Sequence, residues 1–292
     1  MTEQQHIETP TSPEAPPLPD ASPVVPVVPE APVVPKDRRV LRAVLRWTAA
    51  VAAFAVVGTG TAYGISQLRR TDVPGLATAS DGRWDYPALS AAPLPAGSPG
   101  PFADRNKAGA HYADLRALVL PAPKSATEDK SLRGRDGWLP TDRFLAEYAD
   151  GAERAELRQK LVDSGLRHVT ARGWTTRDGT HTRVYLLQFG TAAVIDALFD
   201  KGLAPYGAPT YRLVGTDASD ASVSDDGFAP EALVQNVNRT AYVEKKPYGA
   251  EQVRQAYLAA GDVLALIVQS RKGAARAVPF QQTVLLQSQL LG

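Results

Sequence analysis

The sequence predicts an α+β fold. An antiparallel sheet is built from two ββα-type units, with their helices packed on one face. A disordered tail and one transmembrane helix precede it. Three observations carry this reading. Residues 47–68, WTAAVAAFAVVGTGTAYGISQL, hold no charge. Residues 166–203 and 242–292 each read as strand, turn, strand, helix. Residues 1–35 hold ten prolines and no aromatic residue, a composition that cannot build a core.

A helix rises about 1.5 Å per residue, so the 47–68 run reaches across a hydrocarbon core about 30 Å thick. Trp47 and Tyr63 stand near its ends, where amphipathic rings favour the interface. Lys36, Arg38, Arg39, Arg42 and Arg46 precede the run, against Asp37 alone. Arg69, Arg70 and Arg83 follow it, mixed with Asp72, Asp81 and Asp85. The positive-inside bias then predicts a cytoplasmic N-terminus and a C-terminal part outside. The basic segment 36–46 is expected to lie against anionic lipid headgroups. A cleaved signal is the competing reading, which would make the protein secreted. Its n-region would be unusually long, and no clear A-x-A site follows.

In the tail, Pro23, Pro26, Pro29, Pro32 and Pro35 recur every third residue and align along one edge of a polyproline II helix. Acidic neighbours (Asp20, Glu30) favour a stiff spacer over a recognition motif. Residues 69–101 are rich in Pro, Ala, Gly and Ser and read as a linker. The folded domain is then 102–292.

Within the first unit, two β-rich runs flank Asp178-Gly179, where Gly supplies the positive φ of a tight turn. Residues 191–203 turn helical, with Ala193, Ile195, Leu198 and Phe199 at core-facing spacing. In the second unit, 255–259 and 263–269 flank Gly261-Asp262. Residues 263–268, VLALIV, are apolar on both faces, as a central strand would be. A helix over 277–290 follows, with Phe280, Val284, Leu285 and Leu291 along one side. The two units resemble each other in pattern only. Two helices precede them, over 140–149 and 152–164. Thr141 or Asp142 would cap the first, and Gly165 would close the second. Residues 203–230 read as irregular, with a short strand at 211–214.

Composition excludes much chemistry. The 292 residues carry 32 basic and 31 acidic side chains and no cysteine. Disulfides, thiol nucleophiles, iron–sulfur clusters and cysteine-held zinc are ruled out. From residue 71 onward 25 basic residues balance 25 acidic ones, with no basic stripe, so nucleic acid is not an expected partner. No G-x-S-x-G elbow, H-E-x-x-H, Walker loop, dinucleotide fingerprint or EF-hand loop occurs. His168 and His181 flank the hairpin without nearby carboxylates and make a poor metal site. Glu128-Asp129 and Asp225-Asp226 read as solvated loop acids. The Asp217, Asp220, Asp225, Asp226 group lacks the regular calcium-loop spacing. Trp84, Trp138 and Trp174 read as core or rim packing, and Lys245-Lys246 as a solvated loop. No catalytic, cofactor or metal residue is assigned.

The Pro-rich tail, the flank RRVLRAVLR and the single anchor resemble single-pass membrane proteins of high-GC actinobacteria. The pattern of YLLQFGTAAVIDALF and GDVLALIVQS…VPFQQTVLLQSQLL is similar to extracytoplasmic sensor domains of actinobacterial receptor kinases and related lipoproteins. The chain departs from that family in having no cysteine and no kinase domain in this sequence. The resemblance implies a non-catalytic binding fold and transfers no functional residue. The expected function is therefore a non-enzymatic, membrane-anchored extracytoplasmic binding or sensor-like domain. The alternative is an envelope hydrolase with an acid-based site.

Overall fold

The computed structural model describes residues 38–67, 80–216, 222–225, 227–229 and 232–292. The chain divides into two units, 1–77 and 78–292.

The first unit contains helix α1, Arg38–Gln67. It starts at Arg38, earlier than the uncharged run. Val40, Leu41, Val44 and Leu45 recur at helical spacing among the arginines, so the apolar stripe continues through the basic flank. Thr48 Oγ1 and Thr59 Oγ1 return to the carbonyls of Val44 and Ala55, at 2.8 and 2.7 Å, keeping their hydroxyls satisfied inside the helix. The 38–59 stretch is long and apolar enough to cross a membrane, and none of it is buried within the protein. The tail 1–35, Lys36 and residues 68–79 lie outside the described residues.

The second unit is an antiparallel seven-stranded sheet with helices. Its strands are β1 (Thr127–Glu128), β2 (His168–Thr175), β3 (Thr180–Gln188), β4 (Ser222–Ser224), β5 (Asn238–Glu244), β6 (Glu251–Ala260) and β7 (Val263–Lys272). Their order is β1-β2-β3-β7-β6-β5-β4. The β2–β3 hairpin turns at Asp178-Gly179, with Gly179 at φ 78°. The β6–β7 hairpin turns at Gly261-Asp262 between the pair Ala260↔Val263. The two hairpins join through β3 and β7, with Tyr185 opposite Leu266 and Val184 opposite Ile267.

Helices α2 (Thr141–Leu145), α3 (Gly151–Asp163), α4 (Ala192–Leu198) and α5 (Ala277–Leu291) complete the unit. They do not share one face of the sheet. Phe144, Leu145, Leu157, Leu161, Ile195 and Leu198 from α2, α3 and α4 join a core with Tyr185, Leu187, Leu264 and Leu266. Phe280, Val284 and Leu291 from α5 join a second core with Val184, Leu186, Ala265 and Ile267. Alternate residues of β3 and β7 thus enter opposite cores. The all-apolar VLALIV run demands this, because both of its faces must be covered. A two-fold axis relating the antiparallel neighbours β3 and β7 would put α4 and α5 on the same face, so the ββα units are not symmetry mates.

Helix α2 ends at Leu145, short of Ala149. The next residues turn extended: Ala149 N–H donates to Arg212 C=O at 2.9 Å, and Val214 N–H to Glu147 C=O at 2.8 Å. This pairing replaces the independent strand expected at 211–214, leaving one bridge, Tyr148↔Leu213. Thr141 and Asp142 do not cap α2, whose N-cap position is Pro140. Asp150 caps α3, accepting from Ala152 and Glu153 N–H at 2.8 and 2.9 Å. Gly165, at φ 71°, closes α3 as expected.

The stretch assigned to a linker also changes. Trp84, Tyr86, Leu89 and Ala92 pack on the α5 core. Those side chains bury apolar surface that a free tether would leave in water.

Candidate binding cleft along the C-terminal helix

Helix α5 carries Pro279 in its first turn, where no intrahelical N–H is required. Its buried side is not purely apolar. Thr283, Gln287 and Ser288 are buried beside Phe280, Val284 and Leu291, whereas Leu285 is half-buried. These amides and hydroxyls organise two extended segments against the helix.

Gln287 Nε2 donates to Leu118 C=O, and its Oε1 accepts from Leu120 N–H, both at 2.9 Å. One turn and a half earlier, Gln282 does the same for a different segment. Its Oε1 accepts from Trp84 N–H at 2.8 Å and its Nε2 donates to Trp84 C=O at 2.9 Å. Residues 84–92 form a strap along the helix. Lys124 N–H donates to Asp85 C=O at 2.9 Å, and Lys124 Nζ pairs with the Asp85 carboxylate at 3.1 Å. The Tyr86 ring meets Trp174 edge-on at 6.3 Å. Thr283 Oγ1 gives its proton to Pro279 C=O at 2.7 Å, so the Tyr86 hydroxyl, 2.8 Å away, donates to it. Burial pushes the Tyr86 hydroxyl up, and the Thr283 bond only partly offsets this.

Where the strap passes the C-terminal end of α5, a cleft of 470 Å³ opens. Leu89, Ala92, Leu94, Leu118 and Leu290 line it, with His111 and Gln289 as polar groups. This volume lies in the roughly 300–1,000 Å³ range of small-ligand sites. His111 is buried at its base. Its Nδ1 lies 2.7 Å from Asp262 Oδ1 and its Nε2 3.0 Å from Leu291 C=O. Asp262 also accepts from His111 N–H and from Gln188 Nε2, at 2.8 and 3.1 Å. The β6–β7 turn therefore ties the strand layer to the end of α5. Gly261 permits the close approach: it sits at φ 51°, and a Cβ there would lie 2.2 Å from Gly109 C=O.

A second cleft, of 430 Å³, lies over the opposite sheet face and is lined by Glu147, Arg183, Glu251, Val253 and Ser270 among others. It holds two carboxylates. Glu147 Oε1 accepts from the Tyr185 hydroxyl at 2.5 Å and lies 2.9 Å from Arg183 Nε; its Oε2 accepts from Arg183 Nε at 3.0 Å. Burial and then the Glu147 charge push the Tyr185 hydroxyl up.

The residues weighed in the sequence are dispersed. His168 pairs with Gln188 and His181 with Thr175, so they lie at opposite ends of the hairpin. His168 stacks on Trp138 at 4.6 Å; His181 Nδ1 lies 3.0 Å from Thr175 Oγ1. Among the described residues, no group of three or more His, Asp or Glu is placed to hold a metal ion. Asp225 pairs with Arg254 at 2.6 Å, both largely buried. Asp217, Asp220 and Asp226 lie outside the described residues. Glu128 pairs with Arg133 and Arg172, and Asp129 accepts from Ser131 N–H at 2.9 Å. Trp174 is core, Trp84 belongs to the strap, and Trp138 lies under the Arg116 guanidinium at 4.9 Å. Sequence reasoning missed His111, Gln282, Thr283 and Gln287. The available signal was polar residues at core positions of an amphipathic helix.

No protein-family model and no curated protein matches the chain. Two of the solved structures that match are mycobacterial proteins. The extracellular domain of PknH from Mycobacterium tuberculosis aligns at 10% identity with a TM-score of 0.27, covering 45% of this chain and 68% of that one. A putative uncharacterised protein from Mycobacterium smegmatis, the Rv0999 ortholog, aligns at 7% identity with a TM-score of 0.26, covering 59% and 79%. Scores this low do not establish a shared fold.

Proposed function

We propose that this chain is a single-pass membrane protein whose C-terminal unit is a non-catalytic, sensor-like binding domain of the cell envelope. The apolar α1 and the arginines at its start support anchoring with the N-terminus in the cytoplasm. Arg38, Arg39, Arg42 and Arg46, with Lys36, meet anionic headgroups at about 1 kcal/mol each. The cleft between the strap and the end of α5 carries the binding reading: it is concave and mostly apolar, with Gln289 and the buried His111 in its lining.

The chain has no cysteine, so Leu94→Cys offers a single labelling point on the cleft wall. An environment-sensitive dye there, on full chain in nanodiscs, reports occupancy during titration with envelope lipid and soluble envelope fractions. A saturable spectral shift, abolished when Ala113→Trp fills the cleft, is the expected result. No saturable shift with any fraction sinks the binding reading. Protease treatment of intact spheroplasts that left residues 80–292 uncut would overturn the orientation.

The placement of Glu147 and Glu251 in the second cleft favours the acid-based hydrolase as a second reading. Against it, both oxygens of Glu147 are already committed to Arg183 and Tyr185. Release of reducing ends from envelope glycans, lost in both Glu147→Gln and Glu251→Gln, would establish it.

A further inference from the structure

The sheet beneath the strap holds hydrogen-bonding capacity that the strap does not use. Trp174, Thr182 and Gln269 stand in one lateral row across β2, β3 and β7, each opposite the next. All three are buried, and among the described residues Trp174 Nε1, Thr182 Oγ1 and Gln269 Oε1 have no protein hydrogen-bond partner. The row is tied to the strap: Gln269 Nε2 donates at 3.1 Å to the same Thr283 Oγ1 that receives the Tyr86 hydroxyl. Buried polar groups left unpaired are costly and uncommon in native proteins. The row thus offers an indole N–H, a hydroxyl and an amide oxygen, one donor, one acceptor and one group that does either, and its Trp174 ring meets Tyr86 edge-on.

The way the strap is held is equally informative. Gln282 reads only main chain, taking both the N–H and the C=O of Trp84. Any extended segment presents those groups. Residues 93–101, PLPAGSPGP, connect the strap to the rest of the domain, and Gly97 in them sits at φ 77°.

We propose that the groove formed by α5 and the β2–β3–β7 row is a binding site for an extended polypeptide of a partner protein, held closed in cis by residues 84–86. The partner supplies an aromatic residue where Trp84 lies and an amide side chain where Tyr86 lies. That amide accepts from Trp174 Nε1–H and donates to Gln269 Oε1 and Thr182 Oγ1, so the groove favours it over the strap. Because Leu89 and Ala92 wall the neighbouring cleft, departure of the strap also reshapes that cleft. The inference rests on reading the α5 side as a binding surface.

The test uses full chain in nanodiscs and two fluorescent peptides. One copies residues 80–92; the other copies them with Tyr86→Gln. The paired variant Asp85→Cys/Lys124→Cys locks the strap by a disulfide, and no native thiol competes. The locked chain is expected to bind neither peptide, and reductant restores binding. The Gln peptide binds about tenfold more tightly than the copy, and Gln282→Ala weakens both by about tenfold. Equal binding to locked and reduced chain, no binding to reduced chain, or no preference for the Gln peptide overturns the proposal. If the paired variant does not fold, Trp84→Ala, which loosens the strap, replaces the reduced form. The Leu94→Cys dye response does not involve Gln282. Peptide failure with that response intact defeats this inference alone; loss of both defeats the binding reading as well.

Discussion

His111 and Asp262 form a buried pair, Nδ1 to Oδ1 at 2.7 Å, that joins the segment before the sheet to the turn between its two central strands. Asp262 accepts three hydrogen bonds, from the His111 ring, the His111 N–H and Gln188. Replacing it with alanine orphans the ring and backbone donors of His111, while Gln188 Nε2 keeps its bond to His111 C=O at 3.2 Å. At about 1–3 kcal/mol for each buried group left unpaired, Asp262→Ala costs roughly 3 kcal/mol or more. Urea unfolding monitored by tryptophan fluorescence measures this; a change below about 1 kcal/mol would show the pair to be dispensable.

Gln287 is fully buried and holds two backbone groups, Leu118 C=O and Leu120 N–H. Gln287→Leu keeps the volume and removes both partners. The expected loss is about 2–4 kcal/mol, with hydrogen exchange at Leu120 N–H accelerated before global unfolding. Unchanged exchange at Leu120 would contradict the assignment.

Gly261 and Gly165 both have positive φ, 51° and 71°. Only Gly261 lacks room: nothing lies within 4 Å of a Cβ built at Gly165, whereas at Gly261 the carbonyl of Gly109 intrudes. Gly165→Ala should therefore cost about 1–2 kcal/mol from backbone strain alone. Gly261→Ala should cost about 2 kcal/mol more, because the Gly109 segment must move. Equal losses in the two variants would mean that the Gly109 contact yields freely.

Asp178 supplies the pH prediction. Burial raises its carboxyl, but hydrogen bonds from Thr176 and Thr180 and the charge of Arg271 hold it below the ordinary value. A depressed folded-state value means stability that is present above the unfolded value of about 3.9 and lost as pH falls through the folded one. Asp178→Asn should be less stable than the parent at pH 6 and should lose less on acidification to pH 3. Parallel melting curves across that range would rule this out.

The hairpins were legible because their signals are local. Asp178-Gly179 and Gly261-Asp262 dictate turns through φ, and the VLALIV run announces a strand covered on both faces. That same run carried the information that helices lie on both sides, which the repeated ββα pattern obscured. The short α2 was not legible, because its missing turn is taken by pairing between 147–149 and 212–214, residues far apart in sequence. The strap was hidden for a related reason. Its Pro, Ala and Gly content reads as a linker, and only α5, nearly two hundred residues later, supplies the partners of Trp84 and Tyr86. The site followed the same logic: Gln282 and Gln287 resemble surface glutamines until the segments they clamp are in place.

The sheet tapers from ten-residue strands at β6 and β7 to two residues at β1 and three at β4. Its long, strongly apolar strands are interior, and each border presents only a few backbone groups to a stranger. An incoming chain finds too short a template to zip onto. Adhesion between copies by strand addition is thereby discouraged. Encounters that persist must use helix and loop surfaces instead.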